Sequence, residues 1–512
     1  MTAPDPRRWW GLGALALALL ALGFDLTILN VALPTLSAEL HAGTSALQWI
    51  VDSYVLVFAA LLLPAGLLGD RFGRKRLLLA GLALFGAASL GGALADGTTG
   101  VIVARTCMGL GAAVVLPLSM SMLPAIFPPH ERTRAVAVWS ASMALGLPLG
   151  PLLGGWLLEH YWWGSIFLVN VPVVVLGGLA VAFLLPESRD PAAPRVDVPG
   201  AALSMAGLVA LVYGVIEGPV RGWADPLTLG AVLGGLALLA AFVRWESRAA
   251  EPLVDVALFR DRVFVGSVSA AVIGTLVMSG ALFVLPQYLQ VVRGHDAFGT
   301  GLRLIPMLAG LMAGGLLTDR LVPRTGAKPV MTAGLLTLTA GLGAGAFTGA
   351  DDAYTFTGAW LGVMGLGIGM TLVPAMDAVL ARLPDGQAGR GSGLVQTLRQ
   401  TAAALGVAGL GSLVSSVYRG EVSTGGLPEE AAVLARDSIG GAASAAARLG
   451  DPALLASARD AYVSGMDAAL AVCALATFVT GLLLWVFLPA VPPERAPDAG
   501  DAAESDHEHV AS

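Results

Sequence analysis

Fourteen stretches of this 512-residue chain run near the length of a membrane-spanning helix with little or no charge: 9–33, 53–69, 77–95, 99–118, 135–158, 165–185, 198–216, 226–243, 263–289, 304–318, 330–349, 354–376, 391–418 and 468–488. About 20 mostly apolar residues span a bilayer core as a helix. Lipid offers the backbone no hydrogen-bond partner but itself, so such runs become helices. The chain therefore reads as an all-α integral membrane protein with 14 transmembrane helices. Its composition agrees: 56% of residues are hydrophobic and 13% charged, against about 25% charged in soluble domains. The tenth window is the shortest and is expected to begin nearer Thr300, with Arg303 snorkelling to the surface. The first follows Arg7 and Arg8 as a signal peptide would. It is long, carries Asp25 and lacks a small-residue cleavage site, so it reads as a retained helix.

Basic residues orient the chain. Links on the amino-terminal side carry Arg71, Arg74, Lys75, Arg76, Arg132, Arg134, Arg244, Arg248, Arg260, Arg262, Arg320, Arg324 and Lys328, among others, whereas the short links opposite carry Arg221 and Arg293. Positive charge stays on the cytoplasmic face, which places both termini in the cytoplasm of a cell (inner or plasma) membrane. A long external loop, 419–461, is rich in Ala, Gly and Ser and reads as partly helical or disordered, and 494–512 reads as an acidic cytoplasmic tail.

An internal repeat divides the chain. "GLLGDR" at 66–71 follows the second window and "GLLTDR" at 315–320 follows the tenth. With the seventh and eighth windows taken as an insertion, windows 1–6 pair with 9–14, and both matches fall after the second helix of a half. The expected organisation is a six-helix bundle over 1–195, two inserted transmembrane helices over 196–250, and a second six-helix bundle over 251–493. Parallel repeats around a site near the bilayer midplane are a transporter architecture.

Charges inside the windows mark the chemistry. Asp25 is the one charge between Trp9 and Ala38, and Arg105 the one between Asp96 and Glu131. A charge at the centre of a spanning helix costs about 2.5–3.5 kcal/mol on insertion scales, so it persists where function or a partner repays it. Two readings stand for the pair: a proton-coupling or gating device, or a permanent ion pair that fixes the first helix against the fourth. Glu217, Asp377 and Arg399 are further candidates along a substrate path, with Gln396, Gln400, Asn170 and Gln287 as polar lining or as packing between helices.

Three strings carry a resemblance. "GLLGDRFGRKR" supplies Gly66, Asp70, Arg71, Gly73 and Arg74, with Asp70 able to pair with Arg71 or Arg74 and Gly73 permitting a positive φ in a very short link. "ALGLPLGPLLGG" supplies Gly146, Gly150, Pro151, Gly154 and Gly155, small residues that let helices approach and a proline that bends one. "FDLTILNVALP" spans Phe24 to Pro34. Together they resemble the major facilitator superfamily and, within it, the fourteen-helix drug:proton antiporters of the EmrB/QacA type. That resemblance implies the major facilitator fold, a cytoplasmic latch at 66–74, and an antiporter motif at 146–155. The second latch, "RLVPRTGAK", departs from the glycine-turn form and is expected to be degenerate.

Other classes lack their residues. No GxxxxGK[ST] string supports a nucleotide-driven pump, and no HExxH, serine elbow or zinc spacing supports an enzyme. Cys107 and Cys473 lie in apolar runs and read as buried residues. The expectation is therefore a non-enzymatic, cofactor-free, proton-coupled efflux antiporter for amphipathic or cationic toxic compounds. Its partners would be a small-molecule substrate, protons and lipid, without nucleic acid, and it would function as a monomer. A dedicated exporter of one antibiotic or metabolite is the alternative, with a facilitator-type uptake permease behind it.

Overall fold

The structure, a computed structural model, describes residues 7–189, 197–249, 256–382 and 388–489. The first half contains α1 (Arg7–Glu39), α2 (Thr44–Phe72), α3 (Arg74–Ala93), α4 (Thr98–Ile126), α5 (Pro129–His160), α6 (Ser165–Leu168) and α7 (Asn170–Leu184). Between the halves lie α8 (Val198–Arg221) and α9 (Pro226–Glu246). The second half contains α10 (Arg262–Gln287), α11 (Ala297–Arg303), α12 (Ile305–Thr325), α13 (Ala327–Gly345), α14 (Tyr354–Leu380), α15 (Ala388–Glu421), α16 (Glu429–Asp437), α17 (Ile439–Leu449) and α18 (Pro452–Phe487). Aspartates explain several helix starts: Asp197, Asp225, Asp261, Asp296 and Asp451 each accept from backbone N–H groups of the turn that follows, offsetting the unpaired donors there.

Thirteen helical segments are long and apolar enough to cross a membrane. The remaining window forms α13, 19 residues long, and packs along α14: a Cβ on Gly334 would meet Met370 and one on Gly341 would meet Met364. By length and composition this helix is not among the thirteen. The tenth window begins at Ala297, earlier than its apolar run, and breaks at Leu304. Arg303 turns back toward the start of α11: its Nη1 donates to the Gly299 carbonyl at 3.1 Å and its guanidinium lies 5.3 Å from the Tyr354 ring centre. Within the long loop, α16 and α17 are helical and α18 starts at Pro452, so the partly helical alternative holds for the described residues. The acidic tail and the histidines His507 and His509 lie outside them.

The repeat is visible in the packing. α1 packs on α5 as α10 packs on α15, α2 and α3 pack on α4 as α12 and α13 pack on α14, and α3 meets α7 as α13 meets α18. Across the bundles, α2 meets α15 and α5 meets α11, two contacts related by the same pairing. The termini of α1 and α18 define a near side. Ser37, Thr44, Gln48 and Gln290, which reach across the bundles, all sit in the far half. The near ends of α2 and α14 stay exposed at Arg71, Phe72, Val373 and Asp377.

Both short links after the repeated string turn on a glycine. Gly73 joins α2 to α3 at φ +112° and Gly326 joins α12 to α13 at φ +86°. The second copy keeps a glycine turn in a shifted place: its glycine follows Asp319 by seven residues where Gly73 follows Asp70 by three, as α12 continues about one turn further. A side chain at either φ is strained by about 1–3 kcal/mol. Gly73→Ala and Gly326→Ala should each lower the thermal midpoint of the detergent-solubilised protein. Gly91→Ala, in an open helical position, should not, and equal behaviour of all three would refute the turn assignment.

Candidate transport site

Helix α1 carries Asp25 midway along its length, and the helices around it supply its partners. Asp25 is 1% exposed and Arg105 2%. Arg105 Nη1 donates to Asp25 Oδ2 at 2.8 Å, and Asn170 Nδ2 donates to Oδ1 at 3.1 Å. Arg105 Nε donates to the Ile50 carbonyl at 3.3 Å, and the guanidinium sits 4.2 Å from the Tyr54 ring centre. Asn170 Nδ2 also reaches Ser89 Oγ at 3.0 Å, and Ser89 donates to the Phe167 carbonyl at 3.1 Å. One apolar window breaks at Val169 into α6 and α7, and Asn170, first in α7, enters the network there. A buried ion pair is tolerable when hydrogen bonds satisfy its remaining atoms. Here α1, α2, α3, α4 and α7 all contribute, and all belong to one bundle.

The glycine-rich string at 146–155 explains how α1 and α5 come close enough for this. A Cβ on Gly146 would lie 2.6 Å from the Phe24 nitrogen, one on Gly150 2.7 Å from the Phe24 carbonyl, and one on Gly154 2.7 Å from Ile28 Cγ1. Pro151 has no N–H, which leaves the Leu147 carbonyl four residues earlier without its helical donor. Thr27 Oγ1 donates to that carbonyl at 2.9 Å. Two separate motifs thus meet in one hydrogen bond. Gly155 points elsewhere: a Cβ there would lie 2.6 Å from Phe298 Cα, and one on Gly301 would lie 2.6 Å from the Pro151 carbonyl. The last glycine of the motif serves the contact between bundles.

The other candidates do not converge. Glu217, near the far end of α8, accepts from Ser45 Oγ at 2.8 Å and pairs with Arg221 at 3.3 Å. Asp377 is exposed near the opposite end of α14. Arg399 donates from Nε to Thr275 Oγ1 at 3.1 Å, inside the second bundle. Gln400 is buried, Gln396 half-buried, and Gln287 turns back on the Phe283 carbonyl of its own helix. In the latch, Arg74 binds Ser188 through its Nη1 and backbone N–H, and Glu187 accepts from the Lys75 N–H and pairs with Arg76. Gly66 faces Pro117 with ordinary contact room. The Asp70 side chain lies outside the described residues. No cluster of three potential metal-ligating side chains occurs among the described residues.

Sequence reasoning missed Asp52. It is 0% exposed, and neither carboxylate oxygen has a hydrogen-bond partner. Window counting placed it at an edge, because the uncharged run begins at Ser53. The helix begins at Thr44, and Asp52 lies two turns inside. The short link after α1 was the available signal, since it leaves few residues before α2 must start.

Comparison with known proteins settles the family. Residues 15–407 match the Major Facilitator Superfamily profile. The chain belongs to that superfamily. It is 31% identical over 504 residues to the tetracenomycin C resistance and export protein of Streptomyces glaucescens, covering 96% of this chain and 94% of that one. It is 33% identical over 501 residues to the multidrug efflux pump LfrA of Mycolicibacterium smegmatis, covering 95% and 97%. The methyl viologen resistance protein SmvA of Salmonella typhimurium is 30% identical over 495 residues, with 94% and 98% covered. Among solved structures, a bacterial homologue of the lysosomal transporter Spinster, described as inward-facing and unoccupied, superposes with a TM-score of 0.67 at 18% identity, covering 96% of this chain and all of that one. That likeness shows the fold.

Removing one member of a buried pair strands the other charge, at about 3–5 kcal/mol. Asp25→Asn and Arg105→Gln should each destabilise the solubilised protein, and the double variant should lose less than the sum in a double-mutant cycle; additive losses would mean the two do not interact. Thr27→Val should cost about 1–3 kcal/mol by leaving the Leu147 carbonyl unsatisfied, while Thr27→Ser should stay near wild type. Equal midpoints for the two Thr27 variants would remove this bond from the account.

Proposed function

We propose that the protein is a proton-coupled exporter of amphipathic or cationic toxic compounds, working by alternating access between its two six-helix bundles. The observation that carries this reading is the arrangement of the two related contacts, α2 with α15 and α5 with α11, which close the far half while the near ends of α2 and α14 are exposed. Two rigid bundles joined in this way can rock about a central site. Relatives at 30–33% identity whose names state export, efflux or resistance supply the direction of transport. The basic residues at the near ends of the helices favour the near side as cytoplasmic, with both termini there. Both bundles come from one chain, which supports function as a monomer.

Asp25 and Arg105 are the coupling or gating pair in this reading. Both carboxylate oxygens are engaged within one bundle, so a proton on Asp25 would release Arg105 and Asn170 together and loosen five helices at once. A dedicated exporter of one natural product is the second reading, favoured by the name of the tetracenomycin C relative.

The test is uptake of ethidium and of methyl viologen into inside-out vesicles with an acid interior. One pH unit supplies about 1.4 kcal/mol per proton, enough for about tenfold accumulation at one proton per substrate. Wild type should accumulate the probe, an uncoupler should abolish this, and Asp25→Asn should lose it. Accumulation that ignores the uncoupler would overturn proton coupling. Energised uptake of a polyaromatic antibiotic without either cation would favour the dedicated exporter.

A further inference from the structure

Asp52 sits where the two bundles meet. One turn before it on the same helix face, Gln48 Nε2 donates to the Val407 and Ala408 carbonyls of α15 at 3.2 and 2.9 Å. Helix α8 straddles the junction. Its Glu217 accepts from Ser45 of α2, its Val215 carbonyl accepts from Ser412 of α15 at 2.7 Å, and its Tyr213 ring lies 6.1 Å from that of Trp49. Residues 45, 48 and 52 share one side of α2 by helical spacing, so Asp52 lies on the side of α2 that faces α15 and α8. The result is complete burial with both oxygens unpartnered.

An ionised carboxylate without donors is the most costly group to enclose, and a proton removes that cost. Most charged groups on the surrounding helices are committed elsewhere, while the Tyr54 hydroxyl of α2 itself has no hydrogen-bond partner and Cys107 of α4 is a free, half-buried thiol. Arg105 of α4 holds Asp25 of α1. Glu217 of α8 pairs with Arg221, and Tyr213 stands against Trp49. On α15, Arg399 is held by Thr275, Tyr418 donates to the Ala435 carbonyl and Arg419 pairs with Asp437. The basic residues of α3 lie at its near end, beside Glu187 and Ser188. The Asp25 network lies inside one bundle and need not break when the bundles rock. Asp52 lies on the surface that must part.

We propose that Asp52 is a proton-binding site built into this seam, protonated while α2, α15 and α8 are closed over it and ionised when the far side opens and water reaches it. Proton binding then favours the shut seam, and α8, one of the two inserted helices, acts as the cover that makes the site responsive. This deepens the proposed function and rests on it for its link to transport.

The test uses the full chain in proteoliposomes, with Cys107 and Cys473 replaced by serine and spin labels at Thr99 and Thr355. These are exposed positions at the far ends of α4 and α14, one in each bundle. Between about pH 5 and about pH 9 the ratio of parted to shut distances should rise in wild type by up to about tenfold per pH unit, as a single-proton linkage allows. Asp52→Asn should abolish the response and hold the shut distance, and Asp52→Glu should keep a response with a displaced midpoint. A wild-type response retained in Asp52→Asn overturns the proposal, as does a midpoint unmoved in Asp52→Glu, which decides alone if the Asn variant does not fold. A wild-type seam indifferent to pH, in a protein whose vesicle transport is uncoupler-sensitive, removes Asp52 and leaves the proposed function standing. Uncoupler-insensitive transport removes that function itself.

Discussion

Lipid gives two apolar helices no hydrophobic reason to associate, so what holds this bundle together is how closely backbones can approach. The contact of α1 with α5 is one such close approach, with three glycines of α5 set against the backbone and side chains of α1. The position of Asp25 and Thr27 follows from it. The bend at Pro151 frees a carbonyl, Thr27 fills it, and Asp25, two residues earlier on α1, is carried into the space where α4 and α7 deliver Arg105 and Asn170. Enlarging a glycine here would push α1 away and strand all of these groups together.

The two buried acids solve opposite problems. Asp25 is enclosed with a full set of donors, so its charge is balanced and its position fixed. Asp52 is enclosed with none, which is affordable only if the charge is absent or the enclosure is temporary. The balanced acid thus lies within one bundle, where its partners come from that bundle alone, and the unbalanced one lies on the side of α2 that faces the other. The pseudo-symmetric contact of α5 with α11 has no acid at the equivalent place; Gly155 and Gly301 close it by backbone proximity alone.

Much of this was legible beforehand because lipid simplifies the reading. Apolar length predicts spanning helices, and a repeated "GLLxDR" string predicts the duplication. Lone charges such as Asp25 and Arg105 have few partners besides each other. Legibility ended where a helix outran its apolar window. α2 starts at Thr44, so Asp52 looked like a boundary; α12 continues past Asp319, so Gly326 looked absent from its turn; α18 extends to Pro452, well outside the run that marked it. Uncharged length measures where lipid is, whereas hydrogen-bond continuity decides where a helix stops.

By itself the sequence determined the membrane class, showed the repeated string and singled out Asp25 and Arg105 as lone charges, since each follows from apolar length, local repetition or the cost of charge in lipid. Only the tertiary structure decided that Asn170 completes the Asp25 site, that Thr27 answers for Pro151, that the motif's last glycine serves the seam, and that Asp52 lies on the side of α2 that faces α15 and α8. These depend on residues more than a hundred positions apart meeting at hydrogen-bond or van der Waals distance. Apolar helices of similar composition carry no local mark of which neighbour they will meet.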